Sequence, residues 1–382
     1  MEIVAKHFFV IVNYGMMRWN ELVRGLIMRK IYCNVIQFRG THYDFGYYQG
    51  ELLKNSIIVK NRERQWLVRK PRFHVPEQEV KQAITAVAPR IWEELCGLRD
   101  ALGWPMERIL MEFGGYRLNY VKSGCSILTG NDYLIRNYDY HPKTYDGRIT
   151  VFQPSDSGYA VIGPSQRITG RMDGMNEHGL AMGYNFINRR KPGDGFICTM
   201  IGRLILELCR SADEAVQLLK EIPHRYSFSY IVYDRTNTTK IIETTPRNVV
   251  AREAVVCTNH FEIMTCENRR HLEDSKRRMA IIEERRPHLK DAKDAFRLFN
   301  DTDRGVFTKL YGSWAGTIHT SAYFPKDMKV WFALGGDREP VEFDFRKWLN
   351  GEDLQVDRIY GEVDTDIPFV HMDEDADWFQ RK

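Results

Sequence analysis

Of the seven cysteines in this 382-residue chain, one stands directly after an unhindered peptide bond. Cys125 lies in Ser123-Gly-Cys-Ser126. A lone cysteine opening a strand is ordinarily a small buried hydrophobe. Gly124 offers a second reading, because a bond following glycine is open to attack by the neighbouring thiol. If that bond is cut, Cys125 gains a free α-amine whose ordinary pKa, about 7.7–8, suits a general base at neutral pH. One residue then supplies both nucleophile and base, and no separate histidine is needed. Arg136 and Asp139 follow on the return strand of the same expected hairpin. A cation such as Arg136 favours the thiolate, and Asp139 is placed to orient or hold the α-ammonium.

Two further segments end an apolar run with an asparagine. Gly174-Met-Asn-Glu-His-Gly-Leu-Ala181 leads to Asn185, and Val255-Val-Cys-Thr-Asn-His260 contains Asn259. Asn176 and Gly179 are ordinary turn residues. Asn185 is harder to explain, since an unpaired amide in an apolar strand end is costly. Two such side chains can donate N–H groups to an oxyanion. A Cys/His pair using His141, His178 or His260 stays open on these residues, as does a fold that binds without catalysis. Neither phosphate-cradling glycine motif occurs and the histidines lack metal-ligand spacing, so no cofactor or metal is expected.

Periodicity supplies the elements that would position these groups. A strand is expected at 31–38, a turn-rich stretch at 39–46 and a helix from about 47. Val80, Ile84, Val87, Ile91, Leu95 and Leu98 share one face of a helical stretch over 77–102. A short helix at 105–113 follows. The hairpin 125–136 turns at 129–132, and strands are expected at 149–153, 159–163 and 179–186. Helices cover 199–209 and a segment to 221 opened by the capping box Ser211-Ala-Asp-Glu214. Strands return at 227–233, 240–243, 249–251 and 254–258, then helices at 271–285 and 290–300, then strands at 316–324 and 329–334. Antiparallel blocks around a helical pair indicate an α+β fold, a four-layer αββα sandwich of two sheets with helices outside.

The ordered set of motifs resembles the penicillin acyltransferase branch of the linear-amide C–N hydrolases, relatives of choloylglycine hydrolases and penicillin V acylases. These are N-terminal-nucleophile (Ntn) hydrolases. The stretch Arg39-Gly-Thr-His-Tyr-Asp-Phe-Gly-Tyr-Tyr-Gln-Gly50 resembles the branch's leader motif, and Gly124-Cys125 its self-cleavage junction. Arg136-Asn-Tyr-Asp139 is similar to the stretch carrying its catalytic aspartate, and 174–185 to its Asn-Glu-x-Gly-Leu segment. Thr258-Asn-His260, followed by a helix with Ser275 and Arg277-Arg278, is similar to the segment bearing its oxyanion asparagine. The likeness covers about residues 35–335. It implies Cys125 as nucleophile, its own amine as base, Asp139 holding that amine, and Asn259 with Asn185 at the oxyanion. Arg136 matches the arginine of the bile-salt and penicillin V branches. One departure is Ser313-Trp-Ala-Gly-Thr317, with Trp314 where the family usually places an arginine near the nucleophile. That cation is then missing or supplied by Arg136.

The resemblance implies residues 30–124 as a leader that becomes a separate chain on cleavage, and 125–350 as the catalytic region. Residues 1–29 are read as an irregular extension and 351–382 as a peripheral acidic tail. The implied partner is a small-molecule N-acyl amide or an acyl-CoA; a homo-oligomer stays open. A net charge of +4 is too small to indicate nucleic acid. The basic run 269–286, interleaved with Glu273, Asp274, Glu283 and Glu284, reads as a solvated helix face. An odd cysteine count without a Cys-x-x-Cys pair points to a reducing, cytoplasmic setting. The apolar run 8–12 is too short for a membrane span.

Overall fold

The structure is a computed structural model, and it describes residues 28–68, 75–119, 123–188, 191–268 and 271–372. Its first part holds β1 (Met28–Gly40), α1 (His42–Lys54), α2 (Ile57–Val68), α3 (Glu77–Val87), α4 (Pro89–Leu102) and α5 (Met106–Phe113). Then come β2 (Gly124–Gly130), β3 (Tyr133–Tyr140), β4 (Arg148–Pro154), β5 (Val161–Gln166), β6 (Gly170–Arg171), β7 (Asp173–Asn176) and β8 (Ala181–Asn188). Two helices, α6 (Cys198–Leu208) and α7 (Ala212–Glu221), precede β9 (Ser227–Tyr233), β10 (Thr239–Thr244), β11 (Val249–Arg252) and β12 (Val256–Cys257). The chain continues through α8 (Glu273–Arg285), α9 (Ala292–Asn300), β13 (Lys309–Leu310), β14 (Ala315–Phe324) and β15 (Lys329–Leu334). It closes with β16 (Val341–Asp344), α10 (Phe345–Leu349) and β17 (Arg358–Asp364).

One sheet is ordered β11-β10-β9-β8-β7-β5-β4-β1-β17 with β6 beside β5; the other is β12-β2-β3-β14-β15-β16 with β13 beside β14. The strand pairs are antiparallel except β1 with β4. α6 and α7 cover the outer face of the first sheet, while α8 and α9 cover that of the second. β2 and β3 meet β8 across the middle. The expected four-layer α+β sandwich is therefore what forms. With both faces covered, β3 is buried at every residue, its polar Arg136, Asn137 and Asp139 included.

The stretch 39–50 docks the first helices onto this frame. Thr41 caps α1 by accepting from the Asp44 N–H at 3.1 Å. His42 is buried between Asp156 Oδ1 at 2.7 Å and Glu207 Oε2 at 3.3 Å. Phe45 stacks on Phe152 with ring centroids 4.2 Å apart. α1 and α4 cross in backbone contact, since a Cβ at Gly46 would lie 2.0 Å from the Glu94 carbonyl oxygen. Arg203 on α6 completes the docking with bonds to both Glu94 and Glu207.

Several expectations need correcting. The helical stretch 77–102 is two helices, because Ala88 before Pro89 is driven out of the α region to φ −144°, ψ 78°. α1 begins at His42 rather than near 47, as the Thr41 cap requires. The short strands β6 and β7 lack enough alternation to be seen in sequence. The segment after 350 is more than a peripheral tail: β17 pairs along β1, and Phe369 and Val370 are fully buried. β1 itself starts at Met28, inside the expected extension, whose residues 1–27 lie outside the described ones. Among the described residues, no helix is long and apolar enough to cross a membrane.

Candidate functional site

The β2–β3 hairpin is tight because Asp132 takes the left-handed conformation, φ +65°, that aspartate tolerates in a turn. Its register sets Gly124 opposite Asp139, Cys125 opposite Tyr138 and Ile127 opposite Arg136. Side chains alternate between faces, so Cys125 and Arg136 point toward the first sheet while Gly124 and Asp139 turn to the other side.

On the inner face, Arg136 Nη2 donates to Cys125 Sγ at 3.2 Å and to the Tyr184 carbonyl at 2.7 Å. Its Nη1 donates to Asp173 Oδ2 at 2.7 Å. Both partners of this ion pair are fully buried. Burial pushes the Cys125 thiol up to about 11, and Arg136 acts against that rise. Asp173 also accepts from Tyr323 Oη at 2.7 Å and Ser321 Oγ at 3.1 Å. Burial would raise its carboxyl, yet Arg136, His319 at 3.6 Å and Tyr323 hold it down to about 2. Asp173 thus fixes the cation that addresses the thiol. Sequence reasoning did not find it, since it sits in the short β7.

On the outer face, Asp139 accepts from Thr317 Oγ1 at 2.7 Å, and its Oδ2 has no protein hydrogen-bond partner. Burial lifts its carboxyl to about 7, opposed by Arg278 and Thr317. Arg278 reaches in from α8. Its Nη1 donates to the Cys125 carbonyl at 2.7 Å and to Ser126 Oγ at 2.6 Å, and its Nη2 to Asn259 Oδ1 at 2.9 Å. Asp274, one turn earlier, holds its Nε at 2.8 Å. Arg278 is 2% exposed, so the basic run 269–286 is not solvated throughout. The buried set Ser275, Arg278 and Ile282 on α8 has helical spacing, a signal that the sequence did carry. Arg278 Nη1 lies 3.8 Å from Asp139 Oδ2, so Cys125 and Asp139 have a second buried cation close by in addition to Arg136.

Asn259 follows β12. Its Oδ1 accepts from the Cys125 N–H at 2.8 Å, and its Nδ2 donates to the Phe186 carbonyl at 2.8 Å and reaches the Ser123 carbonyl at 3.4 Å. A guanidinium only donates, so Arg278 forces the amide oxygen toward itself and the amide N–H groups toward Ser123. Asn185 occupies a different place. Its Nδ2 donates to the Thr258 carbonyl at 3.1 Å, and its Oδ1 has no partner. It braces the loop that carries Asn259. The structure brings Cys125, Arg136, Asp139 and Asn259 together and leaves Asn185 one step behind them.

The three histidines of the rival Cys/His pairing bond elsewhere. His141 accepts from the Lys143 N–H at 3.1 Å, His178 packs edge-on against Tyr159, and His260 meets Thr258 and Ser275. Trp314, at φ +66°, lies against His141 with centroids 4.3 Å apart and edge-on to Tyr140.

Several solved structures share features with the chain. Penicillin V acylase from Agrobacterium tumefaciens is 14% identical over 59% of this chain and 86% of that one, with a TM-score of 0.40. A variant of conjugated bile acid hydrolase from Clostridium perfringens is 15% identical over 63% of this chain and 96% of that one, with a TM-score of 0.42. The Caenorhabditis elegans ortholog of N-acylethanolamine-hydrolyzing acid amidase is 12% identical over 53% and 93%, with a TM-score of 0.38. No curated protein matches the chain. The model of the acyl-coenzyme A:6-aminopenicillanic acid acyl-transferase family matches residues 127–339, more than half of the sequence, and the chain belongs to that family of enzymes acting at amide C–N bonds.

Proposed function

We propose that this enzyme cuts its own Gly124–Cys125 bond and then uses Cys125 as an N-terminal nucleophile on linear amides of small N-acyl compounds. The observation that carries this reading is the convergence of Arg136 on the thiol and of Asn259 on the nitrogen of one residue, at 3.2 Å and 2.8 Å. Cys125 is fully buried in the uncut chain, so a substrate reaches it only once Ser123 and Gly124 move away after cleavage.

In self-cleavage the thiolate adds to the Gly124 carbonyl carbon. The C–N bond breaks, and the proton given up by the thiol is transferred to the Cys125 nitrogen. Water then hydrolyses the thioester, leaving a Gly124 carboxylate and a free Cys125. In turnover the α-amine takes the thiol proton, the thiolate attacks the substrate amide, and the same proton passes to the leaving amine. The Asn259 N–H groups face the developing oxyanion. Asp139 lies beside the new terminus and holds the α-ammonium. Transfer of the acyl group to water gives hydrolysis, and transfer to an amine gives acyl exchange.

Intact-mass measurement of the purified protein tests this. Fragments 1–124 and 125–382 are expected, with Cys125→Ala whole and inactive. An uncut chain with full amidase activity would overturn the reading, because Cys125 would have no free amine.

A further inference from the structure

Gly124 is a glycine for reasons of space. Its φ lies outside the left-handed region, so the backbone would accept any residue. A Cβ placed there would lie 3.2 Å from Ala315 Cβ, 3.2 Å from Asp139 Cβ and 3.3 Å from Asp139 Oδ2. Carbon atoms in contact normally stand about 3.5–4.0 Å apart. The two crowding carbons are Cβ atoms, the side-chain atoms least able to move. Asp139 sits on β3 between Gly124 and β14, and its carboxylate is tied to Thr317. Ala315 opens β14 directly after the constrained Trp314.

We infer that Gly124, Asp139 and Ala315 gauge the carbon next to the acyl carbonyl, and that the enzyme takes amides whose acyl group begins with an unbranched methylene. This rests on Cys125 being the nucleophile. The link is chemical: the self-cleavage intermediate is a thioester of Gly124 on Cys125, and the turnover intermediate is a thioester of the substrate acyl group on the same sulfur. Gly124 Cα therefore marks the position of the acyl C2. Straight-chain and arylacetyl groups pass. An acyl group with a methyl on C2 in the direction of an L side chain meets Ala315 and Asp139.

The chain's own cleavage supplies the test. Gly124→Ala, checked for folding by circular dichroism, is expected to slow appearance of the 125–382 fragment by about tenfold or more, the rate equivalent of overpacking by one methyl. Adding Ala315→Gly removes one crowding carbon and restores most of the lost rate. Among substrates, hexanoyl p-nitroanilide is expected to outrun one enantiomer of its 2-methyl analogue by a similar factor, and Ala315→Gly to narrow the gap. If Gly124→Ala cleaves at the parental rate, or if both enantiomers match the straight chain while Cys125→Ala stays inactive, the gauge is wrong and the nucleophile assignment stands. Straight-chain turnover by Cys125→Ala would instead remove the nucleophile assignment.

Discussion

Arg278, carried on an outer helix, donates from Nη1 to the main-chain carbonyl of Cys125 at 2.7 Å. The same guanidinium holds Asn259 Oδ1 at 2.9 Å, so one side chain sets both the Cys125 backbone and the amide that faces it. Arg278→Met is expected to lower kcat by about 10- to 100-fold with little change in KM, since misplaced catalytic groups cost on this scale. Added guanidinium ion restores part of the loss if positioning is the cause. An unchanged kcat in a folded variant rejects the role.

The Arg136–Asp173 pair is buried on both sides. Arg136→Met leaves Asp173 uncompensated and is expected to destabilise the uncut Cys125→Ala protein by about 3–5 kcal/mol in urea unfolding. In the cleaved enzyme, loss of the cation shifts iodoacetamide labelling of Cys125 to higher pH, because the thiolate loses its nearest positive charge. Labelling with the parental pH profile contradicts the contact.

Asp139 titrates at about 7 in the uncut fold against an ordinary 3.8, so folding favours its protonated form. Its contribution is intact below the unfolded value and is lost as pH rises through the folded one. In the Cys125→Ala background, Asp139→Asn is therefore expected to gain stability relative to its parent between about pH 4 and about pH 7, with a constant gain above. Melting temperatures of the two proteins across that range decide it; a gain confined to acid pH has the wrong sign.

Asn259 and Asn185 should separate in kinetics. Asn259→Ala removes the side chain bonded to the Cys125 nitrogen and is expected to cost about 10²–10³ in kcat, as loss of an oxyanion donor does. Asn185→Ala removes the bond to the Thr258 carbonyl and is expected to cost about 1–3 kcal/mol of stability, with a smaller kinetic effect. Equal kinetic losses would place Asn185 at the reacting atoms after all.

Part of the centre was legible because it is local. Cys125, Arg136 and Asp139 share one hairpin, and a two-residue alternation with a four-residue turn suffices to bring them near each other. The leader motif was legible as a pattern only. Its Gly46 and His42 are explained by a helix crossing and an ion cluster whose partners, Glu94 and Glu207, lie far along the chain. Asp173 escaped notice because a four-residue strand is too short to show a period.

By itself the sequence determined the layered α+β class, since antiparallel strand blocks and amphipathic helices are written in local hydrophobic spacing. It also determined the glycine–cysteine junction. Only the tertiary structure decided how that junction is served. Cys125 sits where β2 pairs with β3, its thiol turned toward the first sheet and its N–H lying in the plane of its own sheet toward the loop after β12. Arg136 and Asp173 attend the sulfur from between the sheets, while Arg278 from the outer helix and Asn259 from the loop after β12 attend the backbone. The bonds from Arg278 and Asn259 to Cys125 join residues more than a hundred positions apart, and no local period encodes them. At Cys125, charge and hydrogen-bond geometry come from packing the two sheets and α8 together, which the chain specifies only as a whole.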